Sequence, residues 1–256
     1  MFAMCTSANN VARGGDECAD PVTVMSLQSE LDVVPASGVK KPANAVDELL
    51  KAAGAGNTRS ITELLASCVD VNVRNIEGET ALHKAAYHGT KQVVDLLLAA
   101  RADPTASDGK GKTPLRRAYD NEDIASALLA ARADPNVADT KGLGTTLHRA
   151  TEGGFVDVVN LLLGARANPN AANEEGETPL HDAATFHQAT VAKVLIAAGA
   201  DVHARDNAGN TPLHCSAYSS DRDASRALIK LLLDARADPD VANVDGETFA
   251  SIDAAA

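Results

Sequence analysis

Histidine is the residue type in this sequence with the clearest potential for chemistry, because imidazole binds metal ions and transfers protons near neutral pH. Four of the seven histidines occupy the last position of a recurring tetrad: His83, His148, His181 and His214. One or two full periods of 32 or 33 residues separate them, so they fall on successive structural units instead of converging on one metal ion. We expect a structural role for these four and no metal site.

Signatures of catalysis are also missing around the other candidate side chains. His88 and His187 lie outside the tetrads and belong to no HExxH or Cys/His pattern. Asp182 follows His181 directly, and neighbours in a helix point in different directions, unlike a catalytic pair. No GxSxG, P-loop or kinase signature is present. The sequence therefore predicts a protein that is not an enzyme and has no cofactor.

An internal repeat organises the sequence. Five tetrads begin 32 or 33 residues apart, at Thr80, Thr113, Thr145, Thr178 and Thr211. A second marker keeps the same register, beginning at Ala102, Ala133, Ala167, Ala200 and Ala237 and reading Ala-Asp-Pro in three of its five copies. Two markers in one register indicate stacked repeats of a single structural unit.

Each unit predicts two short helices and a turn. A threonine before Pro-Leu is a helix start, with a side-chain cap and proline at the first helical position. The segment 82–87 follows as a first helix, and 93–98 has the apolar spacing of a second helix. The polar, glycine-containing stretch 107–111 suits a tight hairpin.

This pattern resembles the ankyrin repeat over residues 44 to 256. The resemblance implies an all-α solenoid of helix-turn-helix pairs joined by β-hairpin loops, in a right-handed curved stack. It also implies that the tetrad histidine hydrogen-bonds the threonine hydroxyl and the neighbouring hairpin backbone. The residues given this structural role are Thr80, His83, Thr113, Thr145, His148, Thr178, His181, Thr211 and His214. Arg116 replaces the histidine in the second unit, where we expect an altered link.

The predicted organisation has a tail, two caps and five repeats. Residues 1–43 are polar and weakly periodic, which predicts a disordered tail. An N-terminal cap (44–74) precedes repeats at about 75–107, 108–138, 139–172, 173–205 and 206–242, and an incomplete C-terminal cap follows at 243–256.

Three departures from the repeat stand out. The second unit is short, with the loss expected in its helix-to-helix turn near 119–122 and one residue returned around Leu143. The fifth unit has an insertion of about four residues near 219–223, which is either a tolerated loop change or an added contact site. The usual glycine after the second helix is kept only at Gly199, and the arginines that replace it are Arg101, Arg132, Arg166 and Arg236.

Composition restricts the possible partners. A formal net charge of -12 argues against nucleic acid and anionic membranes. The four cysteines are scattered without a CxxC pair, which favours a reducing compartment, and Cys68 and Cys215 are expected to be buried structural thiols. No apolar stretch is long enough for a membrane span or a signal peptide, so we expect a cytoplasmic or nuclear protein. We also expect it to be a monomer.

Register with the family places a candidate polypeptide-binding groove on the hairpin tips and the first helices. Its predicted residues are Ile76, Glu77, Glu79, Tyr87, His88, Lys110, Lys112, Glu152, Glu174, Glu175, Glu177, Thr185, Phe186, His187, Arg205, Asn207, Asn210 and Tyr218. Aromatic residues are only 3% of the chain, yet Tyr87, Phe186 and Tyr218 fall at these positions, as partner anchors or packed on their own helices. The resemblance implies an interaction adaptor that binds a polypeptide; the alternative is a regulatory or targeting domain of a larger enzyme or signalling protein.

Overall fold

The computed structural model describes residues 44–88, 90–218 and 222–255. The predicted disordered tail and part of the insertion near 219–223 lie outside the described residues. Thirteen helices are described: α1 (Ala45–Gly54), α2 (Thr58–Ala66), α3 (Ala81–His88), α4 (Lys91–Ala99), α5 (Pro114–Arg117), α6 (Glu122–Ala130), α7 (Thr146–Glu152), α8 (Val156–Gly164), α9 (Pro179–Thr185), α10 (Ala189–Ala197), α11 (Pro212–Ala217), α12 (Arg222–Asp234) and α13 (Phe249–Ala255).

The helices form two layers. The first helices of the units stack on one another in the order α1, α3, α5, α7, α9, α11 and α13, and the second helices stack in the order α2, α4, α6, α8, α10 and α12. One leucine of each tetrad, for example Leu82 or Leu180, is completely buried between the layers. Small residues beside them, such as Ala85 and Ala183, are also fully buried and allow close helix approach. This all-α solenoid confirms the predicted fold class.

The connections between units are turns, and the described residues contain no β-strand. In the first full unit, the backbone N–H of Asn75 donates to the carbonyl of Glu79 (3.0 Å), and the Asn75 side chain accepts from the N–H groups of Glu77 and Glu79. Gly78 has φ +77°, a conformation that disfavours any residue with a Cβ atom. Each tip bonds to the next one, as where Gly109 N–H donates to the carbonyl of Glu77 (2.8 Å).

The second unit is short for a different reason from the predicted one. Its first helix, α5, has only 4 residues, whereas α7 has 7. The loss therefore removes the last turn of α5, because residues 118–121 still form a connection to α6. The returned residue lies in the next hairpin, which closes with a bond from Asp139 N–H to the carbonyl of Gly144 and is one residue wider than in the first unit.

The arginines that replace glycine after the second helices adopt the left-handed conformation. Arg101, Arg132, Arg166 and Arg236 have φ between +64° and +68°, and Gly199 has φ +91°. A residue with a Cβ atom is strained in this conformation. The family's usual backbone is therefore kept in spite of the substitution.

Candidate functional site

The tetrad histidines connect consecutive units. His83 Nδ1 accepts a hydrogen bond from the backbone N–H of Thr80 (3.1 Å) and lies 2.9 Å from the Thr80 hydroxyl. Its Nε2–H donates to the carbonyl of Lys112 in the next unit (2.9 Å). The same geometry recurs at His148, His181 and His214, which reach the carbonyls of Glu177, Asn210 and Glu247. These are the bonds that the family resemblance implies.

Burial favours the neutral form of three of these imidazoles, those of His83, His148 and His181. It lowers the pKa of His83 and His181, and it lowers the pKa of His148 to about 4. A neutral ring can accept at Nδ1 and donate at Nε2 at the same time, which the link between units requires. These histidines are therefore held away from proton-transfer chemistry at neutral pH.

Arg116 makes the link that histidine makes elsewhere. Its guanidinium is buried and donates to the carbonyl of Leu143 and to Asp139, both at 3.3 Å. Asp139 is the residue that closes the widened hairpin. The second and third units are thus joined by a buried ion pair, while the Nε and Nη1 atoms of Arg116 have no hydrogen-bond partner in the part of the chain that the structure describes.

Asparagines form a second set of links at the far end of the second helices. The Asn136 side chain donates to the carbonyl of Arg166 (3.1 Å) and accepts from the N–H of Asn168 (2.7 Å). Asn72 bonds in the same way to Arg101 and Asp103. These asparagines hold the strained residue after the second helix of the next unit.

The predicted groove residues lie on the hairpins and on the first helices, and we call this surface the hairpin face. Its large apolar side chains are exposed: Ile76 stands free at a hairpin tip, and Tyr87, Phe186 and Tyr218 are 59%, 49% and 51% exposed. Other exposed positions from the predicted set are Glu77, His88, Lys110, Glu174, Glu175, Thr185, Arg205 and Asn207. Lys112, Glu152, Glu177, His187 and Asn210 are partly buried.

Glu79 does not fit the prediction of an open groove residue. It is buried, and its carboxylate forms ion pairs with Lys84 of its own unit and with Arg117 of the next unit (2.8 Å). Arg117 also contacts Asp108 (2.8 Å) and lies over the Tyr87 ring. Burial alone would raise the pKa of Glu79, but hydrogen bonds from Lys84 and Asn75 hold it below its ordinary value. Glu79 therefore joins units together.

Several groove residues of the fourth and fifth units also bond between hairpins. The Asn207 side chain donates to the carbonyl of Glu174 (2.8 Å), and Arg205 donates to the carbonyl of Ala242 (2.8 Å). The hydroxyl of Tyr218 donates to Glu247 (2.7 Å) while its ring stays half exposed. These residues order the hairpin face and still present part of their surface.

Asp182 is a buried residue near the predicted groove positions Glu152 and Glu177, and its place beside His181 did not predict a role for it. It is 7% exposed, and its Oδ2 atom has no hydrogen-bond partner among the residues that the structure describes. Burial, followed by the nearby carboxylates of Glu152 and Glu177, raises its pKa to about 8. The signal was available in the register: the residue after each tetrad is Lys84, Arg117, Arg149, Asp182 and Cys215 in turn, so the charge changes sign at the fourth unit.

The two cysteines differ from the prediction and from each other. Cys68 is exposed, because it occupies the left-handed position that ends α2, with φ 55°. Cys215 is partly buried in α11, and burial together with the Asp206 and Glu177 carboxylates raises its pKa to about 12. The raised pKa disfavours a reactive thiolate at Cys215.

Within the described part of the chain, no group of three or more histidine, cysteine or acidic side chains could hold a metal ion. No helix there is long and apolar enough to cross a membrane.

Comparison with known proteins identifies the class. The family model for ankyrin repeats in three copies matches residues 49–139 and 147–245, which is more than half of the chain. The protein belongs to the ankyrin-repeat family, as the tetrads predicted. Two solved structures have the same fold: the ankyrin repeat domain of Bcl-3, from the IkappaB protein family (TM-score 0.70, 26% identity, 80% of this chain and 92% of that one), and that of human ASB11 (TM-score 0.70, 27% identity, 80% and 90%).

Curated relatives share shorter segments. Serine/threonine-protein kinase 12 of Arabidopsis thaliana is 42% identical over 78 residues, which is 30% of this chain and 17% of the kinase. The human mitochondrial disaggregase is 44% identical over 69 residues, covering 27% and 10% of the two chains. The Drosophila melanogaster NF-kappa-B inhibitor cactus is 40% identical over 75 residues, covering 27% and 15%. Each match spans less than a fifth of the relative.

Proposed function

We propose that the protein is a non-catalytic interaction adaptor that binds a polypeptide partner on the hairpin face. Ankyrin repeats generally mediate protein–protein interaction, and this chain belongs to that family. Binding through the hairpin face is the finer step of the proposal.

One observation carries it: exposed apolar side chains are concentrated on this face. Seven large hydrophobic side chains are exposed among the described residues, and only Leu233 lies on a second helix. Ile76, Leu143 and Val244 stand at hairpin tips, and the three aromatic residues Tyr87, Phe186 and Tyr218 lie at the ends of first helices. Exposed apolar side chains concentrated on one face are characteristic of interaction sites, and aromatic anchors commonly dominate interface energy.

The experiment compares partner capture by the full chain and by the double variant Tyr87→Ala with Phe186→Ala. Both side chains are about half exposed, so the variant should keep its cooperative thermal transition in circular dichroism. Quantitative mass spectrometry of pull-downs should show partners retained by the wild type and lost from the double variant. Leu233→Ala is the matched control, since Leu233 is an exposed apolar residue on α12. Equal capture by all three proteins would refute binding on the hairpin face.

The lengths of the relatives favour a second candidate function. The matched segments are small parts of much longer proteins, including a kinase and a disaggregase. In this alternative, the repeats regulate or target a larger enzyme or signalling protein. Full-length transcript sequencing tests it: a catalytic domain in the same reading frame would support this role, and a transcript that encodes repeats alone would contradict it.

A further inference from the structure

Two equivalent glutamates, in the first and fourth units, have surroundings of different charge. Glu79 in the first unit and Glu177 in the fourth both precede the tetrad threonine. Glu79 receives two cations: the Lys84 ammonium from its own unit and the Arg117 guanidinium from the next. The residues in those two positions beside Glu177 are Asp182 and Cys215. Around Glu177, the fourth and fifth units have therefore replaced the two cations with a carboxyl group and a thiol.

The carboxylates around this place remain. Arg117 also pairs with Asp108 of its own unit. The residue that corresponds to Asp108 in the unit of Cys215 is Asp206. Asp206 and Glu177 accept hydrogen bonds from the neutral amides of Asn210 (3.1 Å) and Asn173 (2.9 Å), which leave their negative charge uncompensated. We call Glu177, Asp182 and Asp206 the acidic cluster; its members come from α9 and the two hairpins that precede α9 and α11, and Glu152 of α7, which pairs with Arg149, lies near Asp182.

Asp182 provides a second, independent observation at this site, a buried carboxyl oxygen without a hydrogen bond. Its carboxyl group is more than nine-tenths buried, and its Oδ2 atom has no partner among the described residues. A buried polar atom without a hydrogen bond is costly and calls for a compensating ligand. The raised pKa of Asp182 has the same origin, since burial and the Glu152 and Glu177 carboxylates outweigh the attraction of Arg116.

The nearest cations are already engaged. Arg116 is held by Asp139 and by the carbonyl of Leu143. Arg149 pairs with Glu152 and lies over the ring of Tyr119. Both of these arginines therefore already have acidic partners of their own.

We propose that the acidic cluster is the specificity site of the hairpin face and takes a basic side chain, arginine or lysine, from the partner polypeptide. The side chain would occupy the place equivalent to that of Lys84 and Arg117 beside Glu79, so the protein already contains a contact of this kind. The exposed tips at Glu174 and Glu175 and the net charge of -12 would attract such a segment over longer distances. This inference rests on the proposed function, because it names the chemistry of the partner on the same face.

Fluorescence anisotropy at low ionic strength tests the cluster directly. The probe is a labelled glycine–serine peptide that carries two arginines, and its control contains citrulline, the neutral analogue of arginine. The full chain is compared with Asp182→Asn, Cys215→Arg and Asp157→Asn. Asp157→Asn makes the same substitution at an exposed position of α8, so it controls for long-range attraction.

We expect the arginine peptide to bind the wild type and Asp157→Asn alike, and to bind Asp182→Asn and Cys215→Arg at least fivefold more weakly. The citrulline peptide should bind all four proteins weakly. Cys215→Arg places inside the protein the cation that the partner would bring. If that variant fails to fold, the isosteric Asp182→Asn decides the test. Wild-type affinity of Asp182→Asn for the arginine peptide overturns the proposal.

The two proposals fail separately. Partners that are lost from the Tyr87→Ala with Phe186→Ala variant but retained by Asp182→Asn would leave the hairpin face in place and eliminate the acidic cluster as its specificity site. Equal capture by the double variant and the wild type would refute binding through the hairpin face.

Discussion

The first and fourth units share one backbone plan and use charge in opposite ways. Around Glu79, Lys84 and Arg117 neutralise the buried carboxylate within the protein. Around Glu177, the equivalent side chains add another acid, Asp182, and a thiol. Charges that are paired internally hold neighbouring units together, whereas charges that are left unpaired cost stability and remain available to a ligand. A repeat protein can therefore divide stability and recognition between units of the same fold.

Removing Arg117 should have the largest effect on this comparison. Arg117→Leu leaves Glu79 and Asp108 without their shared cation, and both carboxylates are buried. We expect a loss of about 3 kcal/mol in the free energy of unfolding, measured by urea titration. Arg149→Leu is the control, because the Arg149–Glu152 pair is much more exposed and should contribute less than about 1 kcal/mol. Equal losses would show that the burial of an ion pair does not determine its contribution to stability.

Asp182→Asn should stabilise the protein in a pH-dependent way. The folded state raises the pKa of Asp182 from an ordinary value of 3.8 to about 8, so it holds this proton more tightly than the unfolded state does. Stability from this group is complete below pH about 4 and is lost as the pH rises to about 8. The unpaired amide retains part of the burial cost, so we expect a gain of about 2 kcal/mol at pH 8 and little change at pH 4. Thermal melts at both pH values check it; Glu174→Gln, at an exposed tip, should show no such dependence.

The asparagine links should contribute similarly at both ends of the comparison. Asn72 bonds to the carbonyl of Arg101, and Asn170 bonds to that of Gly199 (3.0 Å). Alanine at either position removes two hydrogen bonds between units, and we expect a loss of about 1.5 kcal/mol in urea titrations. Asn160→Ala, on the exposed surface of α8, should cost much less. A negligible effect at both sites would show that these links are not needed for stacking.

Exchanging the residues at the ends of α4 and α10 should have the smallest effect. Arg101→Gly relieves a left-handed residue, although glycine also gains freedom in the unfolded chain, so we expect a net gain of about 0.5 kcal/mol. Gly199→Arg should lose a similar amount; a Cβ atom there meets no neighbour, so backbone strain is the remaining cost. Differential scanning calorimetry measures both changes. A clear loss of stability in Arg101→Gly would mean that the arginine side chain contributes a stabilising contact.

The sequence predicted what depends on short, repeated patterns. The tetrads carry their own helix starts, so the helix pairs and their stacking followed from local spacing, and the family resemblance implied the roles of His83 and His181. The burial of Glu79 could not be predicted in this way, because its partner Arg117 lies 38 residues further along the chain. The shortening of α5 was wrongly assigned to the turn, since counting residues locates a deletion only between two markers. Asp182 was missed because it was judged beside His181 instead of against the equivalent residues of the other units.

Consecutive units are linked by histidines at some boundaries and by Arg116 at another. We therefore expect these boundaries to lose stability in a defined order as the pH falls. The pKa values of His83, His148 and His181 are depressed, so the stability that these joints provide is present above pH about 6.5 and declines as the pH falls. A protonated imidazole can no longer accept the N–H of its threonine. The guanidinium of Arg116 keeps its proton throughout this range. Mild acidification should therefore loosen the solenoid on both sides of the second and third units while these two remain attached, so that the irregular joint becomes the last intact piece of the array.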